Sequence, residues 1–269
     1  MDKRALIVGY GRAGKRHAKM LDELGIGWVY CDPNIEQPPG TGRISWEVIQ
    51  ENLDILHYDY DFAVICTPPD LHLSQIRQCL DAGLAVLCEK PLCGLGQLAE
   101  AEELLKHPNA HKVMVAYNYR YHPKLIKVSQ PRPFLRVVAP TLESYGHVES
   151  VGNFSPTPPK WMTCWQDREL PEWGLLLDHV SHDLDILRFL CGSISIQSAK
   201  YYPVGSFAQD TRRQMWEIKV KVPGLPEWES GLIRLRESVG TYLDRKAKLE
   251  YEDGSELDID PDPVMYRVM

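Results

Sequence analysis

The sequence lacks any long apolar run. The first apolar stretch, residues 5–9, is five residues long, and no stretch in the 269 residues approaches the roughly 18 residues of a membrane-spanning helix. A secretory leader also needs a longer apolar core than this. The sequence therefore predicts a cytoplasmic protein with no membrane partner.

A basic excess is also lacking. The 30 Lys and Arg residues against 37 Asp and Glu residues give a formal net charge of −7. Seven of the acidic residues lie in residues 249–262, which contain no Lys or Arg. Binding to nucleic acid needs a basic surface that neutralises phosphates. A nucleic-acid partner is therefore not expected.

Cysteine pairing is not indicated either. The seven cysteines are an odd number, form no CxxC motif, and include several, such as Cys66, that lie within apolar runs. This usage is typical of reduced, buried thiols. With 44% hydrophobic and 25% charged residues, the composition is that of a globular protein, and the length favours two domains.

Residues 1–120 alternate short apolar runs with helical patterns. The predicted strands are residues 6–8, 28–31, 62–66, 85–88 and 113–117, and the predicted helices are residues 13–24, 70–82 and 95–106. Strands that are apolar almost throughout are typical of a parallel sheet covered on both faces. The predicted fold class is α/β, with a doubly wound parallel sheet in the first domain.

Prolines punctuate the chain from about residue 121 onward, which predicts a domain boundary there. Residues 121–269 are predicted to form a smaller α+β domain with a largely antiparallel sheet. Its predicted helix is 175–190, and its predicted strands are 194–201, 215–222, 231–236 and 249–259, the last turning at Asp253-Gly254.

A glycine-rich turn follows the first predicted strand and opens the first predicted helix. Its sequence is Gly9-Tyr10-Gly11-Arg12-Ala13-Gly14. In such a turn the first glycine permits the tight bend, the second lets backbone N–H groups approach a pyrophosphate, and the third lets the helix pack on the strand. We therefore predict a Rossmann dinucleotide site at Gly9, Gly11, Arg12, Ala13 and Gly14. The alternative is a turn of three glycines in a protein that binds no nucleotide.

Asp32 stands at the end of the second predicted strand, 18 residues past the last glycine of the turn. A carboxylate there accepts hydrogen bonds from the adenine ribose and repels a 2′-phosphate. Because Pro33 and Asn34 follow and no Arg is adjacent, NAD is favoured over NADP. Arg12 or Arg43 leaves NADP open as a cofactor.

Four further segments carry recognisable patterns. They are Thr67-Pro68-Pro69-Asp70-Leu71-His72, Glu89-Lys90-Pro91, Asn118-Tyr119-Arg120, and the helix containing Asp178, His182 and Asp185. Together with the glycine turn, which continues to His17, they resemble the GxGxxGxxH, TPPxxH, EKP, Asn-x-Arg and DxGxHxxD motifs of the glucose-fructose oxidoreductase, inositol dehydrogenase and MocA (Gfo/Idh/MocA) family. Val180 stands where that family has glycine, and the second domain is shorter than the family norm.

The resemblance implies a Rossmann domain followed by an α/β domain with an open sheet that commonly forms oligomer contacts, so a homo-oligomer is expected. It implies further cofactor contacts at Cys66, Thr67, Pro68, His72, Glu89, Lys90 and Asn118. Glu89 is expected to order its turn rather than act as a base. Substrate contacts are expected at Arg120, Asp178 and His182, and Trp165 is a candidate for stacking on a sugar ring. The alternatives are structural hydrogen bonding for Arg120 and Asn118 and core packing for Trp165.

By the same resemblance, Lys90, Asp178 and His182 carry the chemistry. Moving a hydride from a carbinol carbon requires a base for the hydroxyl proton, and histidine titrates near neutral pH. His182 and Asp178 are four residues apart on one predicted helix, so they face the same way. A metal site at these positions with His179 is not expected, because no distant fourth ligand is identifiable.

The sequence thus predicts an NAD-dependent dehydrogenase or ketoreductase that acts on a sugar, nucleotide sugar or cyclitol. One alternative is a non-catalytic dinucleotide sensor on the same fold. Another is a reductase of a C=N or tetrapyrrole substrate, for which a small second domain would be less surprising. Fold-level analogy cannot choose the substrate.

Overall fold

The computed structural model describes residues 3–35, 42–43, 59–121, 123, 137–147, 181–191, 193–203, 214–221, 231–237, 242–251 and 256–259. The chain divides into two compact units, Met1–Tyr117 and Asn118–Met269. The division falls three residues before the boundary predicted at residue 121. Each unit is described by itself below.

The first unit is a six-stranded sheet with helices between its strands. The elements are β1 (Arg4–Val8), α1 (Arg12–Glu23), β2 (Gly27–Cys31), β3 (Gly42–Arg43), β4 (Phe62–Ile65), α2 (Pro69–Asp81), β5 (Ala85–Cys88), a 3₁₀ turn (Leu95–Gln97), α3 (Leu98–Leu104), a second 3₁₀ turn (Ala110–Lys112) and β6 (Val113–Val115). The strand order is β3-β2-β1-β4-β5-β6, and every pairing is parallel. The predicted doubly wound parallel sheet is confirmed.

The apolar character of β1 follows from burial on both faces. Leu6 and Val8 belong to one buried apolar cluster, whereas Ala5 and Ile7 belong to another that includes Ala18 of α1. These four β1 residues are at most 2% exposed. A strand with covers on both faces has no polar side to present to water, which is why its sequence does not alternate.

The third predicted helix differs in its first turn. Residues 95–106 were expected to form one helix, but the structure begins with the 3₁₀ turn and continues as α3 to Leu104. The Gln97 side chain accepts a hydrogen bond from the Gly94 N–H at 3.0 Å and donates to the Asp70 carbonyl at 2.9 Å. These contacts hold the entry to α3 in the tighter turn.

The second unit contains a 3₁₀ turn (Asn118–Tyr121), β7 (Val137–His147), α4 (Ser181–Cys191 within the described residues), β8 (Ser195–Pro203), β9 (Gln214–Lys221), β10 (Gly231–Glu237), β11 (Tyr242–Tyr251) and β12 (Glu256–Ile259). The strands pair in the order β12-β11-β7-β10-β9-β8. In these residues the β7–β10 pairing is parallel and the other four pairings are antiparallel.

Candidate functional site

Four parallel strands end in register and bring the predicted cofactor residues to one edge of the first sheet. Cys31, Val8, Ile65 and Cys88 are the aligned last residues of β2, β1, β4 and β5. The residues that follow them are Asp32, Gly9, Cys66 and Glu89. The crevice outside the carboxyl ends of such strands is where ligands bind in doubly wound sheets.

The glycine turn is closed tightly at its two ends and open in the middle. Gly9 has a φ of +90°, and a Cβ placed on it would lie 2.8 Å from backbone atoms of Cys66 and Thr67. A Cβ on Gly14 would lie 2.1 Å from the Gly9 carbonyl oxygen. A Cβ on Gly11 would meet nothing within 4 Å among the described residues. Space above Gly11 is what a pyrophosphate in contact with the backbone requires.

Helix α1 begins directly after this space. Its first turn contains Arg12 and Ala13 and no acidic residue, and Arg12 is exposed. The first backbone N–H groups of a helix have no partner within the helix and bear partial positive charge. Open space, an unobstructed helix N-terminus and close-packed glycines together fit the pyrophosphate of a dinucleotide.

Asp32 ties the glycine turn to the end of β2. Its Oδ2 accepts the Tyr10 N–H at 2.8 Å, and its Oδ1 accepts the Asn34 N–H at 2.9 Å. A carboxylate offers about four lone-pair sites, so two remain for further donors such as ribose hydroxyls. Asp32 is half-buried at the position predicted for the ribose ligand.

The end of β4 continues into a turn held by His72. The ring of His72 is 1% exposed and lies between two carbonyl oxygens, that of Thr67 at 2.7 Å from Nε2 and that of Pro91 at 2.9 Å from Nδ1. Burial lowers the pKa of His72, although hydrogen bonds to these backbone carbonyls oppose the change. Thr67 in addition donates its hydroxyl to Gln75 Oε1 at 2.6 Å. His72 thus joins the segment after β4 to the segment that follows Lys90.

Pro68 and Cys66 have different positions in this turn. Pro68 is the exposed residue that precedes α2. Burial raises the pKa of the Cys66 thiol, and the nearby Glu89 carboxylate adds to the effect. A thiol held protonated is a poor nucleophile, so Cys66 lines the sheet edge without reactive character.

Glu89 is a buried carboxylate that reaches α1. Its Oε1 lies 2.7 Å from Arg16 Nη2 and 2.9 Å from His17 Nε2, and its Oε2 lies 3.3 Å from the Lys90 backbone nitrogen. Burial alone would raise the pKa of Glu89, but the His17 hydrogen bond and the charges of Arg16, His17 and Lys90 hold it below its ordinary value. Lys90 itself is half-buried at the end of the same strand.

The predicted residues of the second unit include a pair on two different elements. Arg120 donates from Nε to Asp185 Oδ2 at 2.8 Å and from Nη2 to Asp185 Oδ1, and its guanidinium lies 5.8 Å from the Phe189 ring centroid. His182 is 7% exposed and meets the Tyr119 ring edge-on at 5.1 Å between centroids. The turn at 118–121 therefore docks α4, and Asn118 lies half-buried in that turn.

Several sequence predictions fall outside the described residues. Trp165, Asp178, His179 and the side chain of Arg43 are among them. In the described part of the chain, no three His, Cys, Asp or Glu side chains come together as a metal site. In the same residues, no helix is long and apolar enough to cross a membrane.

Three contact residues were missed as site residues by the sequence prediction. Arg16 and His17 follow the glycine turn, and Asp185 follows His182 by three positions. His17 and Asp185 stand at motif positions, which is the signal that could have found them, whereas Arg16 stands at an unspecified position of the GxGxxGxxH motif. Their partners lie 65 to 73 residues away in sequence.

The fold and the glycine turn together define a dinucleotide-binding Rossmann protein. A model of the Gfo/Idh/MocA oxidoreductase family, described as an NAD-binding Rossmann fold, matches residues 3–119. The NAD-binding domain of this chain, residues 3–119, thus belongs to the Gfo/Idh/MocA oxidoreductase family.

Curated relatives include inositol 2-dehydrogenase of Rhizobium meliloti, 29% identical over 190 residues, which are 69% of this chain and 54% of the relative. The uncharacterised oxidoreductase YrbE of Bacillus subtilis is 27% identical over 198 residues, covering 70% of this chain and 53% of that protein. The chain thus spans about half the length of the curated relatives it matches.

Solved structures extend the likeness over both units. A myo-inositol dehydrogenase from Corynebacterium glutamicum matches with a TM-score of 0.70 and 20% identity over 97% of this chain and 75% of that one. The WlbA dehydrogenase of Thermus thermophilus, solved with NAD and UDP-GlcNAcA, matches with a TM-score of 0.65 and 20% identity over 99% of this chain and 86% of that one. At this identity the matches show a shared fold.

Proposed function

We propose that this protein binds NAD at the β1–α1 turn and oxidises or reduces a cyclitol, sugar or nucleotide sugar at a secondary alcohol or ketone. The observation that carries the proposal is the shape of the glycine turn, closed at Gly9 and Gly14 and open above Gly11. Membership of an NAD-binding oxidoreductase family supports it. A relative named as inositol 2-dehydrogenase and a structural neighbour solved with NAD and UDP-GlcNAcA support the substrate class.

In this proposal NAD, when bound, supplies the nicotinamide carbon that accepts the hydride. Lys90 favours the developing alkoxide with its ammonium group, because it stands at the carboxyl end of β5 on the ligand side of the sheet. His182 takes the hydroxyl proton, and Asp178, four residues earlier in the sequence, supports it. The second unit holds the substrate and forms the contacts of a homo-oligomer.

The contacts described for Arg120 favour the structural alternative that the sequence left open. Both hydrogen bonds described for its guanidinium go to Asp185, which is 5% exposed. A bidentate pair with a buried carboxylate fixes the geometry of the elements that carry it. We therefore assign to Arg120 the role of holding α4, and with it His182.

The experiment that tests this function has two parts. Cofactor-stripped protein is titrated with NADH and with NADPH, followed by tryptophan quenching and energy transfer to the nicotinamide. NAD reduction is then followed by absorbance with myo-inositol, scyllo-inositol and UDP-N-acetylglucosamine as probes. We expect saturable binding, tighter for NADH, and turnover with at least one probe.

Three outcomes of that experiment are distinct. Failure to bind either nucleotide would contradict the whole proposal. Binding without turnover of any probe would favour the non-catalytic sensor, which the family membership otherwise disfavours. Turnover with a polyol would exclude the sensor and leave the C=N reductase without support.

Asp32→Ser is expected to weaken NADH binding by about tenfold or more and to narrow the preference for NADH over NADPH. The variant loses a charged acceptor for the ribose hydroxyls, and hydrogen bonds to charged groups are worth about 1.5–3 kcal/mol. The variant also removes the acceptor of the Tyr10 N–H and so loosens the glycine turn that either nucleotide would contact. NADPH binding should therefore not become tight. The same titration measures both affinities, and Glu102→Ser, an exposed change on α3, is the control. An unchanged NADH to NADPH ratio would show that Asp32 does not bind the ribose.

A further inference from the structure

The Glu89 carboxylate makes a connection that the proposed chemistry does not use. It lies at the end of β5, yet its Oε1 is held by two consecutive side chains of α1, Arg16 at 2.7 Å and His17 at 2.9 Å. The side chain of Glu89 is 11% exposed and that of His17 is 14% exposed. The contact therefore joins two elements more than 70 residues apart in sequence through a nearly buried carboxylate.

The contact between Glu89 and α1 connects two parts of the proposed site. Arg16 and His17 stand in the second turn of α1, whose first turn follows the pyrophosphate space above Gly11. Glu89 immediately precedes Lys90, and its Oε2 faces the Lys90 backbone nitrogen at 3.3 Å. The link thus runs from the helix that receives the dinucleotide to the residue proposed to act on the substrate oxygen.

We infer that Glu89, Arg16 and His17 form a positioning clamp that fixes Lys90 relative to the bound dinucleotide. The inference rests on the proposed function, since it gives Lys90 a place in hydride transfer. Glu89 is a positioning residue in this scheme and does not touch the reacting atoms. We call the three side chains the Glu89 clamp.

The charge state of Glu89 suits a clamp and not a proton carrier. A general base works best with a pKa near the operating pH. The pKa of Glu89 is instead lowered, because the hydrogen bond with His17 and the positive charges of Arg16 and Lys90 outweigh the effect of burial. At neutral pH the carboxylate is a permanent acceptor that keeps both α1 side chains in place.

A second anchor on the other side of Lys90 makes the clamp effective. The carbonyl of Pro91 lies 2.9 Å from His72 Nδ1, and His72 also contacts the Thr67 carbonyl. The residues on both sides of Lys90 are therefore fixed, one to α1 and one to the turn after β4. Releasing the α1 side removes the side-chain anchor of Glu89 and leaves this segment held by its backbone, in which the Glu89 N–H donates to the Ile65 carbonyl at 2.8 Å, and by His72.

The test compares Glu89→Gln, Arg16→Met and the double variant with the wild type. Lys19→Met is the matched control, because Lys19 lies on the same helix and pairs with the exposed Glu23. The probe pair is NAD with whichever polyol turns over in the screen above, myo-inositol being tried first. The NADH titration counts the binding sites in each preparation, and kcat is expressed per binding site. Correction for unfolded protein is thereby built into the measurement.

We expect the clamp variants to lower kcat per site by about tenfold or more, since small misplacements of a catalytic group cost up to about a hundredfold. The KM for the polyol and the NADH affinity should stay within about threefold of the wild type. Arg16→Lys should recover part of kcat, and the double variant should be no slower than Glu89→Gln alone. Lys19→Met should match the wild type.

Two results would overturn the clamp. Unchanged kcat per site in Glu89→Gln and Arg16→Met, with Lys90→Met inactive, would leave the proposed function standing and remove the clamp. An equal fall in NADH affinity and kcat would mean that these side chains only shape the dinucleotide site. The Arg16 side chain is 36% exposed, so Arg16→Met should fold even where Glu89→Gln does not. If Lys90→Met keeps full turnover, the proposed chemistry fails first and the clamp fails with it.

Discussion

Lys90→Met is expected to reduce turnover by about a hundredfold to a thousandfold. This is the range found when one charge-stabilising donor is removed from an active site. Methionine preserves much of the side-chain length and removes the ammonium that would favour a developing alkoxide. NADH affinity should change by less than about threefold, because the pyrophosphate turn is formed by β1 and α1 and not by β5. Steady-state kinetics with the active polyol and the NADH titration measure the two effects separately.

Lys106→Met is the control for this change. Lys106 is exposed and pairs with Glu103 on the surface. Surface ion pairs contribute about 0–1 kcal/mol, so this variant should fold and turn over like the wild type. If Lys90→Met loses NADH binding and keeps its turnover per bound cofactor, the role assigned to Lys90 is wrong.

The sequence predicts the first unit well for a physical reason. Strands buried on both faces have continuous apolar sequences, and the turns between them need glycine or proline at defined positions. β5 (Ala85–Cys88) matches its predicted range, and α1 and α2 differ from theirs by one residue at each end. β3 (Gly42–Arg43) was missed because two residues carry no periodic signal.

The second unit was harder to predict because its longest strand contradicts a local rule. β7 (Val137–His147) contains Pro140, and proline within a run argues against a central strand. Pairing with β10 begins only at Thr141, whereas Pro140 is opposite Leu249 of β11. The proline thus lies where β7 has one paired neighbour, and its missing N–H need not interrupt a ladder on both sides. Sequence alone gives no register from which to see this.

β11 (Tyr242–Tyr251) begins seven residues before its predicted start at residue 249. Its first half includes Asp244, Arg245 and Lys246, which weaken the apolar alternation used to predict strands. β11 pairs with β7 along almost its whole length. Pairing with a neighbour, rather than local propensity, fixes the strand in this segment.

In the candidate site, too, residues set by local sequence can be predicted, and contacts between distant segments cannot. Positions that need a particular residue, such as Gly9 and Asp32, are readable from motif spacing. The partners of Glu89 and of Asp185 are not, because each ion pair joins segments whose approach is decided by the packed fold. Motif positions thus mark residues that matter, and geometry distinguishes positioning groups from groups that touch ligands.

Gly14→Ala and Gly11→Ala are expected to affect folding stability and NADH affinity differently. At Gly14 the new Cβ would overlap the Gly9 carbonyl oxygen, a backbone atom that cannot turn aside. The overpacking costs about 1–3 kcal/mol or more, which exceeds the roughly 1 kcal/mol that alanine gains over glycine within a helix. Gly14→Ala should therefore lower the free energy of unfolding, measured by urea denaturation without cofactor, and should weaken NADH binding as the turn opens.

Gly11→Ala should instead leave unfolding within about 0.5 kcal/mol of the wild type, as expected for a change that meets no neighbour. Its φ of −71° suits any residue, and no described atom lies within 4 Å of the added Cβ. NADH affinity should nevertheless fall by about tenfold or more, because the methyl group enters the space where the backbone approaches the pyrophosphate. Equal NADH affinity in Gly11→Ala and the wild type would place the dinucleotide elsewhere. Loss of folding in Gly11→Ala would contradict the open geometry of the turn.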